Sequence, residues 1–155
     1  MEYIICQFKG WDIYVIASKK AIIMITTDKE KIKGLSLVFD DNVVLLEAKK
    51  QLEDYFMKRR QEFDLPLELN GTEFQKKVWR ALMDIPYGET RSYKEIAKVV
   101  GNDKASRAIG LANNKNLIMI IIPCHRVIGS NGKLVGYAGG LNLKAALLEL
   151  EGIID

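Results

Sequence analysis

Residues 92–114 read SYKEIAKVVGNDKASRAIGLANN, and this stretch predicts two short helices joined by a tight turn. Ser92 and Glu95 have the spacing of a capping box, which opens the first helix. The residues predicted to face inward on it are Ile96, Val99 and Val100. A Gly-Asn-Asp turn ends the helix, and Asp103 is placed to cap the next one. The pattern is typical of a helix-turn-helix, but it also occurs in helical bundles that bind no ligand.

Helices are also predicted on both sides of this stretch. Thr72 and Gln75 form a second capping box, and the helix that they open has an apolar face made of Phe74, Val78 and Leu82. The chain ends in the pattern LNLKAALLELEG, with Asn142 as the expected N-cap and Gly152 just beyond the end. The second half is therefore expected to be mainly helical.

The first third of the chain predicts strands followed by a helix. Apolar runs at residues 3–8, 12–18 and 21–27 read as strands, and Lys9-Gly10-Trp11 is suited to a hairpin connection. Residues 42–60 have the period of an amphipathic helix, and residues 61–71 read as an extended connection. We therefore expect an α+β protein with two domains, residues 1–65 and 66–155.

Composition and charge narrow the range of functions. The 155 residues are 48% hydrophobic and 28% charged, which is ordinary for a soluble protein, and no apolar run is long enough to cross a bilayer. The first residues lack the pattern of a secretion signal, so we expect a cytoplasmic chain with reduced thiols. Residues 1–69 have 11 basic and 12 acidic side chains, whereas residues 91–144 have nine basic and two acidic ones. This difference favours a polyanionic partner for the second half, although a solvated lysine-rich surface would look the same.

The stretch IIPCHRV at residues 121–127 follows an apolar run, residues 117–122, that predicts a buried strand. It places Cys124 beside His125, the only histidine of the chain. The imidazole could activate the thiol if a turn or a water molecule joined them and if a carboxylate, Glu149 or Glu151, oriented the ring. A lone cysteine on an apolar strand is, however, usually inert. Cys6 is expected to be a core thiol, and two cysteines with one histidine do not suggest a metal site.

Several motifs in a fixed order resolve these alternatives. The motifs YGETRSYKEIA, GNDKASRAIGLANNKN, PCHRV and GYAGGLNLKAALLELEG closely resemble the O6-alkylguanine-DNA alkyltransferases, also called methylated-DNA–protein-cysteine methyltransferases. The resemblance runs from about residue 72 to residue 152. It implies a variable, ribonuclease-H-like α/β first domain and a winged-helix-like second domain that contains the helix-turn-helix and the reactive cysteine.

The resemblance also implies the residues that carry the chemistry. Cys124 would accept the alkyl group, and His125 would be its base through a water molecule. Glu151 would orient His125, and Asn116 would hold the loop before the cysteine. Tyr93 would help to flip the nucleotide and would donate to the base.

The same resemblance assigns DNA contacts and a base pocket. Arg107 would fill the gap left by a nucleotide flipped out through the minor groove. The other expected DNA contacts are Thr72, Tyr93, Ala105, Ser106, Ala108, Gly110 and Arg126. The expected base pocket consists of Pro123, Val127, Tyr137, Ala138 and Met119. The family pattern usually differs at Leu117, Met119 and Ala138, so tolerance of bulky alkyl groups could change.

The function implied is stoichiometric DNA repair. A methyl or alkyl group would pass irreversibly from O6-alkylguanine, and also from O4-methylthymine, to Cys124 of a monomeric protein, without cofactor or metal. The expected partner is double-stranded DNA that contains alkylated bases. Two alternatives are a sensor that binds alkylated bases without repairing them and a thiol hydrolase that uses Cys124 and His125. The presence of Cys124 argues against the sensor, and the lack of an acyl-substrate motif argues against the hydrolase.

Overall fold

The chain divides between Asn70 and Gly71 into two units, each with its own secondary structure. The computed structural model describes residues 1–38, 42–137 and 139–155. The first unit contains a sheet and a helix, and the second is mainly helical, so the predicted α+β class is confirmed. Among the helices in the described ranges, none combines the length and apolarity needed for a bilayer crossing.

The first unit begins with a tight antiparallel hairpin. Strand β1 (Glu2–Phe8) pairs with β2 (Trp11–Ala17). The connection has positive φ at Lys9 (47°) and Gly10 (89°), as a two-residue hairpin turn requires. The hairpin predicted at this place is confirmed.

Two further strands belong to the same sheet. Strand β3 (Ile22–Thr26) is antiparallel to β2, whereas the short β4 (Ser36–Leu37) is parallel to β1, so that the strand order is β3-β2-β1-β4. The extended connection also joins the sheet, because Ile22 N donates to Pro66 O and Glu68 N donates to Ile22 O, both at 2.8 Å.

Helix α1 (Val43–Phe56) follows the sheet and is capped by Asn42, whose side chain accepts from Leu45 N. It ends four residues before the predicted end at residue 60. Lys58 has a φ of 61°, and Arg59 N reaches back to Asp54 O at 2.8 Å, which closes a Schellman motif. The helix therefore stops although the amphipathic pattern continues.

The second unit is built around α2 (Glu73–Met83), α3 (Tyr93–Val99) and α4 (Ser106–Asn114). Both predicted capping boxes are present, at the starts of α2 and α3. The α3–α4 pair forms the predicted helix-turn-helix. The buried Trp79 of α2 donates through Nε1 to Ala112 O of α4 at 2.9 Å, which ties α2 to this pair.

Three local predictions in this unit are wrong. Val99 is 67% exposed, because the inward face of α3 is formed by Ile96, Ala97 and Val100. Asp103 does not cap α4. That helix starts after Ala105, and within the described residues no side chain caps it.

The third wrong prediction concerns the last helix, α5 (Leu141–Leu150). Asn142 lies inside its first turn, and Gly140 occupies the N-cap position with a φ of 90°. The end of the helix agrees with the prediction, because Gly152 has a φ of 78° just beyond the C-cap Glu151. A pair of two-residue parallel strands, β5 (Arg91–Ser92) and β6 (Val127–Ile128), joins the start of α3 to the segment that follows Cys124.

Candidate active site

The apolar segment before Cys124 is folded as a series of turns, and the predicted strand at residues 117–122 is wrong. Asn116 is the cause: its Oδ1 accepts from Ile118 N at 3.0 Å, and its Nδ2 donates to Ile122 O at 2.8 Å. Ile120 takes a φ of 74°, which is costly for a β-branched residue and persists only where surrounding contacts impose it. Asn116 thus holds the loop before the cysteine, which is the placement expected for it.

Cys124 begins a 3-10 turn, Cys124–Arg126, and is only 1% exposed. Burial raises the pKa of its thiol to about 11, although hydrogen bonding from Asn116, the charge of Lys144 and hydrogen bonding from Tyr137 act in the opposite direction. The resting group is therefore a thiol rather than a thiolate at neutral pH. A base is therefore needed to form the reactive thiolate.

His125 and Glu151 form a fully buried pair. His125 Nε2 lies 2.6 Å from Glu151 Oε2, and neither side chain is exposed. Since a carboxylate only accepts hydrogen bonds, the imidazole presents Nε2–H to Glu151 and keeps the lone pair on Nδ1. Within the described residues, Nδ1 is buried and has no hydrogen-bond partner. Of the two carboxylates that the sequence offered, the structure pairs Glu151 with His125 and leaves Glu149 exposed.

Burial lowers the pKa of His125, and the hydrogen bond and charge of Glu151 only partly oppose this effect. The charges of Arg126 and Lys144 lower it further. The ring is therefore neutral near pH 7 and can accept a proton at Nδ1.

Arg126 was expected to contact DNA, and the structure contradicts this expectation. The side chain is 5% exposed, and its Nε and Nη2 donate to the two oxygens of Glu151 at 2.8 and 3.1 Å. Its Nη1 donates to Ile85 O at 2.7 Å. The buried carboxylate holds the guanidinium inside the unit, where it cannot reach a phosphate.

Tyr93 stands at the start of α3, half-buried, with its hydroxyl donating to Val135 O at 2.9 Å. Burial raises its pKa, and the negative charge of a Cys124 thiolate raises it further. The phenol therefore keeps its proton at neutral pH.

Lys144 is a site residue that the sequence reasoning missed. Its side chain is fully buried on α5, and its Nζ donates to Val127 O at 2.6 Å and to Val135 O at 2.9 Å. Burial lowers its pKa to about 8, whereas the charge of Cys124 acts in the opposite direction. The available signal was a lysine three and four residues before Leu147 and Leu148, on the apolar face of the last helix.

The burial of Lys144 and Arg126 also alters the charge argument. Both were counted among the nine basic residues of the segment 91–144, but neither reaches the surface. The exposed excess of positive charge is therefore smaller than the sequence count suggested.

A cavity of about 460 Å³ lies on the outer side of the helix-turn-helix. Two of its lining residues, Lys94 and Ser130, were not predicted. The other four are expected DNA-contact residues: Tyr93, Ser106, Arg107 and Gly110. Ala108 is exposed nearby on α4, and Thr72 is exposed as the N-cap of α2. Ala105 is only 8% exposed, so little of its side chain is available for the contact with DNA that was expected of it.

Four of the five residues expected to form the base pocket lie in the described ranges, and Met119 and Tyr137 are buried among them. A Cβ atom placed on Gly139 would lie 3.1 Å from Tyr137 Cε2 and 3.2 Å from Met119 Cε, so both side chains pack against this glycine. Pro123 and Val127 are also buried, on either side of the Cys124 turn. Ala138 lies outside the described residues.

Comparison with known proteins agrees with this geometry. Residues 73–153 match the model of the 6-O-methylguanine DNA methyltransferase DNA-binding domain, and residues 1–69 match that of the ribonuclease-like domain of the same proteins. A methylated-DNA–protein-cysteine methyltransferase of Methanosarcina acetivorans is 59% identical over 124 residues, which are 80% of each chain.

Solved structures are similar over almost the whole chain. The crystal structure of Mycobacterium tuberculosis O6-methylguanine methyltransferase superimposes with a TM-score of 0.88 at 43% identity, covering 97% of this chain and 92% of that one. A structure of the M. tuberculosis protein in complex with DNA gives a TM-score of 0.88 at 44% identity, with the same coverage. This chain therefore belongs to the 6-O-methylguanine DNA methyltransferase family.

Proposed function

We propose that this chain repairs O6-alkylguanine in double-stranded DNA by moving the alkyl group to Sγ of Cys124. The observation that carries the proposal is the buried series Cys124, His125 and Glu151 inside the unit that bears the helix-turn-helix. Within this proposal, residues 66–155 both bind DNA and accept the alkyl group, and residues 1–65 form the ribonuclease-like domain. The protein acts as a monomer in the cytoplasm, without cofactor or metal.

The transfer is a displacement at the alkyl carbon. The thiol proton passes through a water molecule to Nδ1 of His125, the thiolate forms the S–C bond, and the C–O6 bond breaks with its electrons going to the guanine. The departing base takes a proton, and the Tyr93 hydroxyl is suited to donate it once released from Val135 O. The proton held by His125 then returns through solvent to the Tyr93 phenolate, so that the products are guanine in DNA and an S-alkylcysteine.

The acceptor is consumed in the reaction. Among the residues of the site that the structure describes, none could expel an alkyl carbon from a thioether, so each chain repairs one base. The reaction is therefore a group transfer in which the protein is a stoichiometric reagent and does not turn over.

Access to the buried base requires flipping of the nucleotide from the minor groove. Arg107, exposed on α4 and lining the 460 Å³ cavity, would occupy the space that the base leaves. Ser106 and Gly110 are small, so the surface of α4 beside Arg107 carries little bulk. O4-methylthymine, which presents an alkyl group on an equivalent exocyclic oxygen, is proposed as a second substrate.

Intact mass measured after incubation with duplex DNA containing O6-methylguanine tests the proposal. We expect a gain of one methyl group per chain, located on Cys124, and no gain for Cys124→Ala. Cys6→Ala is the matched control and should react as the wild type does, because burial raises the pKa of Cys6 to about 12 and it lies in the first unit.

The two alternatives give different results in the same experiment. A sensor would bind the modified duplex without any change of mass. A thiol hydrolase would turn over an ester and keep its own mass unchanged. Either result would exclude the transferase.

A further inference from the structure

The Glu151 carboxylate is the centre of a buried hydrogen-bond network in the second unit. Oε2 accepts from His125 Nε2 at 2.6 Å and from Arg126 Nη2 at 3.1 Å. Oε1 accepts from Arg126 Nε at 2.8 Å and from Gly88 N at 3.1 Å. The guanidinium is itself anchored by its bond to Ile85 O. Arg126 therefore donates hydrogen bonds to both oxygens of the Glu151 carboxylate, which also accepts from His125.

The charges of this network matter for the proposed reaction. A buried carboxylate with an imidazole as its single partner favours the imidazolium, because the pair then carries no net charge. An imidazolium has a proton on both nitrogens and cannot accept one from a thiol. His125 must stay neutral to be a base, although Glu151 draws a proton toward it.

We propose that Arg126 is a positioning residue for alkyl transfer. Its guanidinium balances the negative charge of Glu151, which would otherwise favour protonation of His125, and it thereby keeps His125 neutral with Nδ1 unprotonated. The fork of Nε and Nη2 also fixes the carboxylate in the orientation that receives Nε2–H. The expected effect on the rate of methyl transfer rests on the proposed function. The expected protonation state of His125 does not depend on that function.

The other charged and titratable groups around His125 support this division of roles. Burial opposes a positive charge on the His125 ring most strongly, Glu151 favours the charge, and Arg126 and Lys144 of α5 add to the opposition, so that the pKa of His125 is lowered. Tyr87, which lies between α2 and β5, places its ring 5.8 Å from the guanidinium carbon of Arg126. The neighbouring Cys124 is a neutral thiol at rest.

The protonation state can be measured directly because His125 is the only histidine. In protein labelled with ¹⁵N-histidine, a single imidazole titrates, and its two nitrogen shifts report tautomer and charge. We expect the wild type to show the neutral Nε2–H form at pH 7. In Arg126→Met, which removes the charge but keeps much of the volume, the imidazolium should persist to a higher pH.

The rate of methyl transfer should follow the same titration. For Arg126→Met we expect a loss of about tenfold or more at pH 6.5, which diminishes as the pH rises and the ring loses its extra proton. A loss of equal size at every pH, with an unchanged titration of His125, would show that Arg126 serves packing alone and would overturn the proposal.

Two further variants complete the test. Arg126→Lys keeps a cation beside Glu151, so its histidine should remain neutral at pH 7. This variant tests the proposal even if Arg126→Met fails to fold, and an imidazolium in Arg126→Lys would also overturn the proposal. Arg80→Met removes an exposed arginine of α2 and should change neither titration nor rate. A wild-type chain with neutral His125 but no gain of mass would refute the proposed function and leave the assignment of Arg126 intact.

Discussion

Tyr93 and Lys144 donate hydrogen bonds to the same atom, the carbonyl oxygen of Val135, at 2.9 Å each. Lys144 also donates to Val127 O, next to the Cys124 turn. One ammonium group therefore joins the start of β6 to the glycine-rich loop that contains Tyr137. The loop that borders the thiol is held by α3 on one side and by α5 on the other.

Replacing Lys144 by methionine should slow methyl transfer by about tenfold, because the thiolate loses a nearby positive charge and the loop loses an anchor. The rate constant with duplex DNA containing O6-methylguanine measures this effect. Lys77→Met, which removes an exposed lysine of α2, is the control. A wild-type rate for Lys144→Met would show that neither the charge nor the anchor contributes to the reaction.

The stability contributed by Lys144 should depend on pH. Burial lowers its pKa to about 8, below the value of the unfolded chain, so between these values the unfolded state binds more protons and stability rises with pH. From pH 8 to pH 9 the free energy of unfolding of the wild type should increase relative to Lys144→Met by about 1 kcal/mol. Urea unfolding of both proteins at several pH values in this window measures the difference. The raised pKa values of Cys124 and Cys6 lower the stability of both proteins at higher pH, since the folded thiols keep their protons longer, and the comparison of the two proteins separates this effect from that of Lys144. A difference that stays constant from pH 7 to pH 9 would contradict the prediction.

Asn116→Ala should destabilise the protein by about 2 kcal/mol or more, because it leaves Ile118 N and Ile122 O buried without their partner. The positive φ of Ile120 would lose the contacts that impose it. Methyl transfer should slow as well, since hydrogen bonding from Asn116 lowers the pKa of Cys124. Thermal unfolding and the transfer rate are the two measurements. The control is Asn142→Ala, which replaces an exposed residue in the first turn of α5 and should change neither the stability nor the transfer rate.

Arg107→Ala and Tyr93→Phe should separate base flipping from chemistry. Arg107 lines the outer cavity, so its loss should weaken repair of duplex DNA by about tenfold while free O6-benzylguanine reacts almost as before. Tyr93→Phe should slow both substrates, because the leaving base loses its proton donor in each case. Rates with the two substrates test this pair. An equal loss on both substrates for Arg107→Ala would mean that this arginine has a structural role.

Local features of the second unit were predicted correctly where short-range chemistry determines them. The capping boxes at Thr72 and Ser92 are formed by residues three positions apart, and the glycine at position 152 ends α5 through its own backbone freedom. The apolar run at residues 117–122 was misread, because an unbroken apolar segment has no periodicity that separates a strand from buried turns. The hydrogen bonds of Asn116 to Ile118 N and Ile122 O hold this segment in turns.

The sequence by itself determined the family, the order of its motifs, the helix-turn-helix and the adjacency of Cys124 to the chain's one imidazole, since each of these depends on residue identity and short spacing. The tertiary structure decided which cations are buried. Arg126 and Lys144 look like surface charges in the sequence, and both are held inside by acceptors from distant segments: Glu151 and Ile85 O for Arg126, Val127 O and Val135 O for Lys144. Burial of a charge is stable only where such partners converge, and convergence is a property of the folded chain.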